Sequence, residues 1–175
     1  MHRKLPILAL LALAPVALAQ TPPQTPPDDG MPARHRADLV ELKSFTLTME
    51  LVTRLYRASS AIDRAAATDP ALKSTNDKLN SVGDQTFADM TALVQSSPRM
   101  IAIVKAHGFT PHGYCVAMFA LYQTALISAS LPPGTPRGEI LAVPGLNPAN
   151  YDFLRQHRAE IEALQKKSPA TTPHS

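Results

Sequence analysis

Residues 110–130, TPHGYCVAMFALYQTALISAS, decide the fold. From Pro111 to Ser130 the stretch holds no Asp, Glu, Lys or Arg and is apolar on most sides. Such a run is nearly long enough to cross a bilayer, yet Gln123 and Thr124 sit at its middle and neither flank is strongly basic. Thr110 followed by Pro111 is a helix start: the hydroxyl accepts a hydrogen bond from an orphan amide of the first turn, and proline fixes φ where no amide is needed. A charge-free helix in water needs covering, and amphipathic neighbours supply it, so the segment reads as the central helix of a bundle.

Those neighbours carry the same signal. Asp69-Pro70, Ser97-Pro98 and Asn147-Pro148 repeat the pairing of capping residue and proline. Thr48 opens a further helix to about Ala67, with Leu51, Val52, Leu55, Tyr56, Ala58 and Ile62 along one side. The preceding LKSFTLT alternates as a strand does, but no partner strand exists for it. After Pro70 the pattern rests on Leu72 and Leu79, breaks at Gly83, and returns through Phe87, Met90, Leu93 and Val94. Met100, Ile101, Ile103 and Val104 form a short helix closed by Gly108 at C′. A last helix from Pro148 to about Lys166 places Leu154, His157, Ile161 and Leu164 on one face. The expected fold is all-α: a single compact bundle of about five to six helices around residues 111–130.

The ends of the chain speak of compartment. MHRKLPILALLALAPVALAQ has a basic start at Arg3 and Lys4, an apolar run from Leu5 to Val16 and small residues at Ala17 and Ala19. That is a secretory signal peptide over 1–19, with cleavage before Gln20. No cysteine follows the run to anchor a lipid, so a soluble periplasmic or secreted protein is expected, without stable membrane insertion. Two Thr-Pro-Pro units then mark residues 20–36 as a proline-rich disordered tether. The helical domain takes residues 37–167, and SPATTPHS, 168–175, is a disordered tail.

Of the 17 basic residues, Arg3 and Lys4 leave with the leader, so 15 remain against 14 acidic ones, about +1, with both signs scattered. A nucleic-acid partner would require a concentrated basic face, and that class is excluded. Cys115 is the only cysteine. It cannot form an internal disulfide, so burial alone holds the fold.

The chemistry concentrates in KAHGFTPHGYCVAMF, residues 105–119, where His107, His112, Cys115 and Met118 crowd together. Imidazole, thiolate and thioether suit copper better than a hard cation. On the helix, however, Met118 drifts about 120° around the axis from His112, and the spacing matches no metal motif. The cluster therefore reads first as packing and second as a copper-type or small-molecule site. His107 in a last turn favours the carbonyl end of its helix, while a thiol inside an apolar helix is a poor nucleophile. His157, on an otherwise apolar stripe, reads as a buried polar group. No G-x-S-x-G, H-E-x-x-H or glycine-rich phosphate loop occurs, so no enzyme and no cofactor are expected.

The loop LPPGTPRGEILAVPGLNP, residues 131–148, holds five prolines and three glycines. It is long for a helix connection, and Ile140, Leu141 and Val143 make it the expected rim of a partner-binding surface. The segments PHGYCVAMFALYQTAL and GLNPANYDFLRQHRAEIEAL resemble an uncharacterised group of small exported all-helical bacterial proteins. That resemblance implies compartment and helical architecture and carries no site. The reading that follows is a periplasmic protein-binding module, an inhibitor, chaperone or immunity-like partner of another exported protein, with a homodimer open.

Overall fold

The computed structural model describes residues 32–81, 84–132 and 134–167. The expected leader, residues 20–31 of the expected tether, the break at Gly83 and the expected tail lie outside them. The described residues are all-helical: nine α-helices and no strand. They run α1 Ala33–Ser44, α2 Met49–Ala66, α3 Pro70–Asn80, α4 Phe87–Gln95, α5 Pro98–Ala106, α6 Pro111–Ser130, α7 Arg137–Leu141, α8 Pro148–Gln156 and α9 Arg158–Lys167.

Five helix starts follow directly from their caps. The side chains of Thr48, Asp69, Ser97, Thr110 and Asn147 each accept a hydrogen bond from a first-turn amide. Thr86 and Asp89 add a reciprocal capping box at α4. Between α5 and α6 the chain turns at Gly108, whose φ of 76° a side chain would strain.

Nine helices stand where five to six were expected, for three physical reasons. α1 begins at Ala33, so residues 33–36, placed in the tether by the sequence, are helical. It buries only Leu42 fully and is held by polar ties: Asp38 Oδ2 accepts from Phe87 N at 3.0 Å, and the His35 ring lies 2.9 Å from the Asp84 carboxylate. Such ties leave no apolar period to read. α7 is a single short turn inside the 131–148 loop. The helix expected over 148–166 is broken at His157, whose φ and ψ of −105° and 17° leave the helical region. Its amide still donates to Phe153 O and its carbonyl accepts from Ile161 N, so one residue ends α8 and begins α9.

α6 packs against α2, α4, α5 and α8. In its first half Tyr114, Cys115, Val116 and Ala117 are all buried, which accounts for a charge-free sequence there. Thr124, also buried, returns its hydroxyl proton to Ala120 O at 2.6 Å. The main core gathers residues such as Val52, Ile62, Leu72, Val94 and Met100 together with Tyr114, Cys115, Val116 and Ala117. A second, smaller cluster of Ile140, Leu146 and Tyr151, with Ile127, Leu131 and Val143 against it, folds the long loop back onto α6 and α8.

Asn150 ties the loop's far end to the start of the domain. It is 1% exposed, accepts from Leu47 N at 2.8 Å and donates to Phe45 O at 2.9 Å. Asn147 donates to the same carbonyl at 2.8 Å. The extended link between α1 and α2, the stretch that alternates like a strand, thus finds its partner in two asparagine side chains.

Candidate functional site

The four residues of the alternative copper-type site are not brought together as one set. His107 turns its Nδ1 to Ile103 O, 2.9 Å away in its own last turn. Cys115 is fully buried; burial pushes its thiol up to about 11, and a hydrogen bond with Thr91 offsets part of that rise. Met118 lies half-buried about 60° around the helix from Cys115, beside Phe119 and Tyr122. His112 shares Thr91 with Cys115, its Nδ1 3.3 Å from Thr91 Oγ1, and sets Nε2 2.8 Å from Glu41 Oε1. Among the described residues no group of three or more His, Cys, Asp or Glu side chains is placed to hold a metal ion.

Glu41 and Thr91 are the partners that sequence reasoning missed. They stand 71 and 21 residues from His112, on α1 and α4, and no local pattern links them to it. His157 is 26% exposed in its side chain and sits 3.2 Å from Glu160 Oε1, with its ring centre 4.8 Å from that of Phe153. It is a residue at a helix junction and not a buried polar site, and it shares no partner with His112.

Of the three loop residues expected at a partner surface, Ile140 is buried in the second cluster, Val143 is half-buried against it, and Leu141 is exposed. The loop nevertheless frames a concavity, through Leu131, Gly134 and Thr135. This is a cleft of about 600 Å³ between the end of α6, the loop and the α8–α9 pair. Tyr151, Leu154 and Ile161 line it with apolar surface, and Arg155, Arg158 and Glu162 with charge. Arg158 is bound to Glu162 at 2.8 Å, whereas Arg155 lies 5.9 Å over the Tyr151 ring. The cleft therefore offers a mixed lining, in which polar and charged side chains stand beside apolar ones, and a cation, Arg155, whose described contact is an aromatic face.

A second cavity, about 210 Å³, lies at the other end of the same flank of α6, between Leu79, Gln85, Met118, Phe119 and Tyr122. In its wall Gln85 Oε1 is buried without a hydrogen-bond partner among the described residues. Between the cavities Met118, Tyr122, Ala125, Leu126 and Ala129 fall within an arc of about 100° on the helix. Tyr122 and Leu126 are 47% and 53% exposed. Met118 of this arc packs against the main core, whereas Tyr122, Ala125, Leu126 and Ala129 are exposed.

Comparison with protein-family models, with curated proteins and with solved structures finds no match to this chain.

Proposed function

We propose that the chain is an exported, non-catalytic protein-binding module, acting in the periplasm or outside the cell as an inhibitor, chaperone or immunity-like partner of another exported protein. Its helices make a single bundle organised about α6, and the cleft beside the 131–148 loop receives an apolar segment of the partner. The observation that carries this reading is the cleft itself: a concavity of mixed polar and apolar lining with an aromatic residue in its wall and Arg155 beside that ring. Interfaces draw their energy from such aromatic and arginine anchors. The leader supports the compartment, and the Thr-Pro-Pro units support a tethered domain.

The test is capture from the chain's own compartment with four baits: the natural chain, Ser128→Trp, Arg155→Glu and Val40→Asp. Ser128 lines the cleft, so tryptophan fills it, and glutamate reverses its charge. Val40, 71% exposed on α1, serves as the control. Loss of the captured protein in the first two variants and retention in the third is the expected result. Retention by all three overturns the reading.

A further inference from the structure

Charge on the last two helices does not cancel everywhere. Every carboxylate of α8 and α9 is engaged: Asp152 meets Arg137 at 2.9 Å, Glu160 meets His157 at 3.2 Å and Glu162 meets Arg158 at 2.8 Å. Arg155 is left over. It lines the cleft and is exposed, and no acceptor among the described residues takes any of its N–H donors. Its described contact is the Tyr151 ring, whose centre lies 5.9 Å from the guanidinium carbon. A ring holds a guanidinium by its face and leaves the edges free, and that planar fork matches a carboxylate through two parallel hydrogen bonds. The cleft is thus an ion pair short of one partner: Arg155 and Arg158 stand against Glu162 alone.

The rest of the lining indicates what brings the missing carboxylate. Leu154 and Ile161 offer apolar surface, but Ser128 and Gln165 stand beside them. Gln165 donates to the Tyr56 hydroxyl at 2.9 Å, while its carbonyl oxygen and the Ser128 hydroxyl have no partner among the described residues. An acyl chain laid against these groups would leave them unsatisfied, whereas a peptide backbone brings a donor and an acceptor with each residue. A volume of about 600 Å³ suits a ligand of drug size, hence a few residues of extended chain.

We infer that the cleft binds an acidic peptide, an extended segment of another exported protein that sets a carboxylate on Arg155 and an apolar side chain against Leu154 and Ile161. This specificity rests on the binding role proposed above and gives its partner a chemistry.

Fluorescence anisotropy on the exported chain tests it. The probe is a labelled peptide repeating leucine, aspartate, aspartate, which puts both residue types on each face of an extended strand. Its counterparts carry asparagine or lysine at every aspartate. The acidic peptide is expected to bind about tenfold or more tightly than the asparagine one, the lysine one more weakly still, and added salt should narrow the gap. Arg155→Gln closes the gap, and Arg155→Glu reverses the order of the acidic and basic peptides. Lys78→Glu alters net charge as much as Arg155→Glu does, at an exposed position of α3 that lines no part of the cleft, and should leave the order intact. Matching far-UV spectra establish that the variants fold. Equal affinity for the acidic and asparagine peptides overturns the inference, as does a preference that Arg155→Gln keeps or Lys78→Glu removes. Decanoate bound through Arg155 where the acidic peptide is not would assign the cleft to a lipid and overturn it too. A partner protein lost by Ser128→Trp yet retained by Arg155→Glu removes the acidic specificity alone and leaves the proposed function standing.

Discussion

Cys115 and Tyr114 stand side by side in the most enclosed turn of α6, and folding withholds water from both. Burial pushes the thiol up to about 11 and the phenol, hydrogen-bonded to Ser59 at 3.1 Å, up to about 12. Both are acids whose neutral form the fold prefers. At alkaline pH the folded chain therefore holds more protons than the unfolded one, and stability falls as pH rises. Their contribution is complete below about pH 9; the thiol's share is lost between 9 and 11, the phenol's between 10 and 12. A two-unit rise corresponds to about 3 kcal/mol for each group. Urea midpoints measured from pH 8 to 11 in reductant should decline, and Cys115→Ala should remove the decline below pH 10 while keeping the later one. An identical profile in the variant would dismiss Cys115 as its source. The burial of Cys115 was legible from the apolar residues around it. The surroundings of His112 were not, because Glu41 and Thr91 reach it only through tertiary structure.

Helix starts were legible because a cap is local: a polar side chain and an amide two or three residues on are all it needs. The elements that escaped are those stabilised from a distance. α1 rests on Asp38, His35 and one buried leucine, and α8 ends at His157 without a glycine or proline to announce it. Asn150 shows what such long-range ties contribute. Its Oδ1 is the partner of Leu47 N, a buried amide more than a hundred residues away, and its removal leaves that amide unsatisfied. Asn150→Ala should cost about 2–3 kcal/mol, seen as a lowered urea midpoint at unchanged slope. Asn147→Ala should cost about 1 kcal/mol, since Asn150 still serves Phe45 O. Equal losses in the two variants would show that the bond from Leu47 N to Asn150 adds nothing beyond an ordinary exposed cap.

At the scale of the molecule, the balanced charge seen in the sequence becomes short-range pairing on the surface. Arg137 meets Asp152, Arg158 meets Glu162 and Lys73 meets Asp77, so no concentrated basic face forms from these groups. Composition also marked α6 as a helix seeking cover, but not which part would remain bare. That outcome depends on the neighbours that pack against it, α2, α4, α5 and α8, which leave Tyr122, Ala125, Leu126 and Ala129 exposed.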